Sequence, residues 1–189
     1  EMCIRDRGIA VYCASSADID KTYFATAREI GRGIALRGYD VVCGGGCMGL
    51  MAAVIDGALE VGGNAIGVLP RFMMERNWNH QGLSRTIVTE SMHERKECMA
   101  SLSCAAIALP GGVGTLDELF EIITWRQLGL YDGNVVILDD HGFYSPLLNH
   151  LQHTDEQHFM RHGSRTLWKV AETPEEALDL ALTDNELIN

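Results

Sequence analysis

Apolar and polar positions alternate in blocks along the chain. Seven short apolar runs, bounded by glycine, proline or small polar residues, read as strands: Gly8–Cys13, Tyr39–Cys43, Asn64–Pro70, Thr86–Glu90, Cys104–Pro110, Asn134–Asp139 and Thr166–Val170. Helices are predicted over Asp20–Arg37, Met48–Val61, Met92–Ser103, from near Thr115 onward, Tyr144–Gln152 and Thr173–Leu182. The first shows Tyr23, Ala27, Ile30, Ile34 and Ala35 on one side, and the last has Pro174 in its first turn. Apolar strands that alternate with helices imply an α/β fold, a mostly parallel sheet covered on both faces. No linker, repeat or low-complexity stretch interrupts the pattern, so residues 8–189 read as one domain. The opening EMCIRDR is charged, lacks an initial Met and does not resemble the strand after it; residues 1–7 read as a non-native segment.

Composition narrows the partners. A chain of 189 residues suits one α/β domain with a proper core. Its net charge of −11 argues against nucleic acid or an anionic membrane, both of which need a basic face, but leaves room for a small anionic ligand in a locally positive site. No apolar run approaches the roughly 20 residues of a membrane helix, and no secretory signal opens the chain. The six cysteines (Cys3, Cys13, Cys43, Cys47, Cys98 and Cys104) are scattered, so they read as free thiols in a reducing cytoplasm.

Open parallel sheets bind ligands beyond the carboxyl ends of their strands, so the residues just after each strand matter most. Ala14–Ser16 follows the first, Gly44–Gly49 the second and Pro110–Thr115 the Cys104–Pro110 strand. These loops offer N–H groups and hydroxyls, and the last two lead into helix N-termini, which favour anions. Ser16, Gly45, Gly46, Gly111, Gly112, Val113, Gly114 and Thr115 are therefore candidate contacts for a phosphate-bearing ligand, with Leu116 and Asp117 just beyond. Gly44, Gly46 and Gly49 fit G-x-G-x-x-G, but after the second strand and with no acidic residue closing the next one, so the match is a weak dinucleotide fingerprint. No G-K-[ST] is present.

Thr115-Leu116-Asp117-Glu118 has the form of a capping box, in which Thr115 caps the helix and Glu118 reaches back to an orphan N–H. Against that stands the neighbourhood: a capping glutamate here would repel a phosphate on the preceding loop unless it serves an attached sugar. Upstream, Arg95-Lys96 forms a cationic pair in a chain with only three lysines. It reads either as a solvated helix face or as a partner for phosphate or a leaving group.

Taken together, GGGCMGLM (Gly44–Met51), MHERK (Met92–Lys96), PGGVGTLDE (Pro110–Glu118) and ITWRQLGLY (Ile123–Tyr131) resemble the Lonely Guy (LOG) family of cytokinin riboside 5′-monophosphate phosphoribohydrolases, over about Gly8 to Leu148. The resemblance implies a Rossmann-like three-layer sandwich, a homodimer, and hydrolysis of the N-glycosidic bond of a purine ribonucleoside 5′-monophosphate to free base and ribose 5-phosphate. It implies Arg95 and Glu118 as the catalytic pair, and Lys96, Gly111–Thr115 and Thr124 as nucleotide contacts, with no cofactor and no metal. The older family label of lysine decarboxylase finds no cofactor-anchoring lysine context here. The chain departs from the family pattern at Ala14, Ala52, Asp117 and around Asn77, where a glutamate is common; the last change bears on base preference, not on reaction class.

In that chemistry Glu118 stabilises positive charge at C1′ and O4′ or activates water, and Arg95 balances the departing base or the phosphate. Two rivals stay open: a general nucleosidase for AMP and other nucleoside monophosphates, and a non-catalytic nucleotide or molybdenum-cofactor carrier, whose members share the P-G-G-x-G-T loop. His158 and His162, with His153 nearby, lack the context of a metal site. Met48, Met51 and Trp125 read as core or dimer packing.

Overall fold

Among the described residues, seven strands build one sheet in which every pair runs parallel, in the order β4-β3-β2-β1-β5-β6-β7. The strands are β1 (Gly8–Tyr12), β2 (Asp40–Cys43), β3 (Ala65–Pro70), β4 (Arg85–Thr89), β5 (Ser103–Ala108), β6 (Asn134–Leu138) and β7 (Lys169–Ala171). The helices are α1 (Thr22–Leu36), α2 (Gly49–Glu60), α3 (Arg71–Glu75), α4 (Met92–Ser101), α5 (Val113–Gln127), α6 (Ser145–Glu156) and α7 (Pro174–Leu182). The computed structural model describes residues 8–161 and 163–183; the segment 1–7, Cys3 and His162 lie outside the described residues.

The apolar runs explain the layers. Successive strand residues point to opposite faces. Ile9, Val11, Val41, Cys43 and Ile107 pack against Ile30 and Ile34 of α1, Val54 and Ala58 of α2, and Leu178 of α7. Ala10, Tyr12, Val42, Val68 and Ala106 meet Met99 of α4 and Leu119 and Ile122 of α5 on the other face. Burial on both faces is why the central strands carry no polar alternation, and it makes the fold a three-layer α/β sandwich. No helix among the described residues is long and apolar enough to cross a membrane.

The strand order reverses between β1 and β5, one leading leftward through β2 and the other rightward through β6. Such a switch point opens a crevice at the carboxyl ends of the strands. Three elements differ from expectation. The short helix α3 comes directly after β3 and is too brief for a periodicity argument. The last strand begins at Lys169, because Ser164–Thr166 forms a single 3₁₀ turn instead. The helix expected near Thr115 begins at Val113, with Gly112 as its N-cap residue.

Candidate active site

A cavity of about 600 Å³ fills the crevice. Its lining comes from four segments at the carboxyl ends of strands: Cys13–Ser16, Gly44 and Gly46–Met48, Leu69 with Met73 and Trp78, and Gly112–Thr115, with Met51, Met92, Arg95, Asp117 and Glu118 from the helices around it.

The early start of α5 removes the capping box. The Leu116 N–H reaches the Gly112 carbonyl at 3.0 Å, so the first turn closes before Thr115 could cap it. Thr115 is the third helical residue and is buried, and Gly111 lies close beneath it; a methyl at Gly111 would overlap the Thr115 side chain. Among the described residues no side chain caps α5, and no acidic residue sits in its first turn. The leading N–H groups of the helix, which have no intrahelical partner, face the crevice with the positive end of the helix dipole. The other predicted anion site is different. At the start of α2 the Leu50 and Met51 N–H groups both donate to the Ala14 carbonyl, at 2.9 and 3.3 Å. That N-terminus ties two loops together, whereas among the described residues no side chain caps the start of α5.

Arg95 is buried, yet its guanidinium is placed with care. Nε donates to the Val68 carbonyl at 2.8 Å and Nη2 to the Gly44 carbonyl at 3.3 Å. Gly44 has no side chain for a steric reason: a Cβ there would overlap Nη2. The remaining nitrogen, Nη1, lies 3.8 Å from Glu118 Oε1. The Glu118 side chain is only 11% exposed. Burial pushes its pKa up to about 7, against the opposing pull of Arg95. A carboxyl that titrates near neutrality beside a fixed cation can exchange protons at physiological pH.

The cavity therefore brings together Ser16, Gly46, Arg95, Gly112, Val113, Gly114, Thr115, Asp117 and Glu118 from the residues singled out in the sequence. Five others stand elsewhere. Gly45 packs against Gly67 and Leu69, and Gly111 lies under Thr115. Leu116 is half-buried, packed against the core beside Leu119 and lining the shallow groove along α5. Lys96 turns away from the cavity to bond Asp117 Oδ2 at 3.0 Å and Glu121 Oε2 at 2.8 Å. Burial lowers its pKa, but the hydrogen bonds it donates to Glu121 and Asp117 outweigh that and raise it. Its position makes it the neutralising partner of two carboxylates flanking Glu118. Thr124 donates to the Phe120 carbonyl at 2.7 Å and lines a shallow groove on the far side of α5.

Sequence reasoning misses the apolar half of the lining. Met48 is 58% exposed, not core, and lines the cavity with Met51, Leu69, Met73, Trp78 and Met92. The available signal is position: Met73 and Trp78 lie beyond the carboxyl end of β3, as the three glycine- and serine-bearing loops lie beyond β1, β2 and β5. Among the described residues no group of three or more His, Cys, Asp or Glu could hold a metal ion.

The fold and crevice define a Rossmann-like α/β protein with an uncapped helix start beside a buried Arg–Glu pair. A family model described as "Possible lysine decarboxylase" matches residues 51–181. The chain is 39% identical over 175 residues to a probable cytokinin riboside 5′-monophosphate phosphoribohydrolase, LOGL2, of Oryza sativa subsp. japonica, covering 93% of this chain and 72% of that one. It is 38% identical over 161 residues to the cytokinin riboside 5′-monophosphate phosphoribohydrolase of Rhodococcoides fascians, covering 85% and 81%. Among solved structures, the molybdenum cofactor binding protein of Rippkaea orientalis matches with a TM-score of 0.72 at 24% identity, over 94% of this chain and 96% of that one. The chain belongs to the LOG family.

Proposed function

We propose that this protein hydrolyses the N-glycosidic bond of purine ribonucleoside 5′-monophosphates, with a preference for bases that carry an apolar, cytokinin-type substituent. The observation that carries the reading is the position of Glu118: a buried carboxyl, paired with Arg95, one helical turn beyond the open start of α5. The naming of the relatives as phosphoribohydrolases supports it.

The 5′-phosphate sits on the leading N–H groups of α5, with the hydroxyl of Ser16 facing it across the crevice. Anchoring there uses binding energy remote from the scissile bond to orient the sugar. The C1′–N9 bond breaks with its electron pair leaving on the base, which then takes up a proton. Positive charge builds at C1′ and O4′ and is stabilised by the Glu118 carboxylate. Water attacks C1′, its hydroxyl bonding to the carbon and its proton passing to Glu118, which then returns to the carboxylate as that proton goes on to the departed base. Arg95 supports the negative charge of the departing base. The apolar half of the cavity favours a base with an apolar substituent over adenine itself. Among the described residues that line the cavity there is no lysine to form a Schiff base with a pyridoxal-type cofactor. The carrier reading rests on the shared P-G-G-x-G-T loop and on likenesses to molybdenum-cofactor proteins at 24–26% identity, below the 38–39% identity to the phosphoribohydrolases, and the higher identity favours the hydrolase.

We also propose a homodimer. Val113, Leu116, Phe120 and Thr124 form one stripe along α5, and Val113 and Phe120 are 85% and 38% exposed. Such a stripe fits a self-complementary contact.

The test is chromatography of the products after incubation with isopentenyladenosine 5′-monophosphate and, separately, AMP. Free base from the first, slower release from the second and none from the unphosphorylated nucleosides are expected. Nucleotide bound but intact would overturn the hydrolase in favour of a carrier, and equal rates would replace the cytokinin preference by general nucleosidase activity.

A further inference from the structure

The segment after β3 is fixed far more firmly than an exposed loop requires. Helix α3 ends in a motif in which the Asn77 N–H donates to the Met74 carbonyl at 3.0 Å and the Trp78 N–H to the Met73 carbonyl at 3.1 Å. Asn77 takes the left-handed conformation this ending needs, with φ of 55°. Asparagine tolerates that conformation better than most residues do.

The chain then lies across the glycine-rich loop after β2. The Cys47 N–H donates to the Trp78 carbonyl at 2.9 Å, and the His80 N–H to the Gly45 carbonyl at 2.8 Å. Gly46 and Asn79 form an antiparallel bridge between these two bonds. The His80 ring clamps the far end. Its Nδ1 accepts from the Gly82 N–H at 3.0 Å, so Nε2 carries the proton that it donates to Asp56 Oδ1 on α2, also at 3.0 Å. Arg28 of α1 in turn lies 3.7 Å from Asp56.

This strap presents one large side chain to the cavity, Trp78. The Arg76 guanidinium lies over its ring, 5.0 Å from the centroid, and Trp78 itself lines the cavity. The placement matches what a nucleotide needs. If the phosphate lies at the start of α5, after β5, then β3 lies three strand spacings away, about 14 Å. The flat end of the ligand reaches the side of the cavity where Trp78, Met73 and Met48 stand.

We propose that the Asn77–Gly82 strap determines base specificity, with Trp78 as the stacking platform for the purine and its apolar substituent and His80 as the positioning residue that seats the platform. The proposal rests on the reading of the cavity as a nucleotide site.

The test uses Glu118→Gln protein, so that the ligand is not consumed. Tryptophan fluorescence is titrated with isopentenyladenosine 5′-monophosphate and with AMP. Trp78 dominates the quench on binding, and Trp78→Phe abolishes it. In Trp78→Ala the preference for the isopentenyl nucleotide over AMP falls about tenfold. His80→Ala lowers the same preference, and His80→Gln, which keeps a donor toward Asp56, restores it. A quench that survives Trp78→Phe, or a preference unchanged in both alanine variants, would overturn the strap as a specificity element. Base release by the unmodified enzyme is measured separately: its absence sinks the hydrolase reading, while a quench that depends on Trp78 still upholds the strap.

Discussion

At the scale of single residues, the decisive group is Glu118. Its pKa of about 7 reflects burial only partly offset by Arg95. The carboxylate form is the active one, so kcat/KM rises with pH up to about 7 and levels off above it. Glu118→Gln flattens that profile and lowers kcat by about 100-fold or more, while circular dichroism stays unchanged. A fully active variant would remove Glu118 from the chemistry. The same shift is visible in stability. The folded state keeps the Glu118 proton between the ordinary value of 4.5 and about 7, where the unfolded chain releases it. The stability held in that proton is complete below the lower value and lost as pH rises through the upper one. The unfolding free energy of wild type minus that of Glu118→Gln should therefore fall by about 3 kcal/mol across this window, measured by urea titration at several pH values. Gly44 offers a complementary test. Gly44→Ala forces its methyl into Arg95 Nη2 and moves the guanidinium off its carbonyl ligands. A loss of kcat/KM of about tenfold or more is expected, with overpacking costing about 1–3 kcal/mol.

At the scale of elements, the helix that opens the site depends on support from behind. The Tyr144 hydroxyl, fully buried, donates to the Leu109 carbonyl at 2.7 Å, where β5 runs into the glycine loop before α5. Tyr144→Phe leaves that carbonyl unpaired, and a cost of about 1 kcal/mol corresponds to a drop in Tm of about 2–4 °C, read by calorimetry. The period of the apolar runs makes the five inner strands legible because each lies between two helical layers, whereas the edge strands β4 and β7 are partly exposed and the start of β7 is misjudged. The α5 start is misleading in the sequence because Thr115 and Glu118 have capping-box spacing; only backbone geometry tells that the glycines let the helix begin two residues earlier. The apolar half of the cavity is hidden for another reason. Met48, Met73 and Trp78 look like ordinary packing residues in a sequence, and α3, at five residues, is too short to show a period. Arg95 and Glu118 are legible through a motif, but their 3.8 Å approach depends on Val68 and Gly44 carbonyls that carry no sequence signal.

At the scale of the whole molecule, the exposed side of α5 is where the proposed homodimer would meet the site. Val113 belongs both to the cavity rim and to the apolar stripe with Leu116 and Phe120. With a net charge of −11, two copies repel each other at long range, so a stable pair needs a contact in which apolar area outweighs that repulsion. A specific interface buries about 800 Å² per partner. Leu128 and Leu130, 58% and 70% exposed just past the end of α5, extend the apolar surface in that direction. Light scattering should give a mass twice that of one chain for the wild type. Phe120→Glu adds a charge at the middle of the stripe on both copies and should halve that mass without unfolding the chain. Because Val113 sits at the rim, separation of the copies should also raise KM for the nucleotide more than it lowers kcat. A monomeric wild type would remove the α5 stripe as an interface, and a monomeric Phe120→Glu with unchanged KM would show that assembly and site are independent.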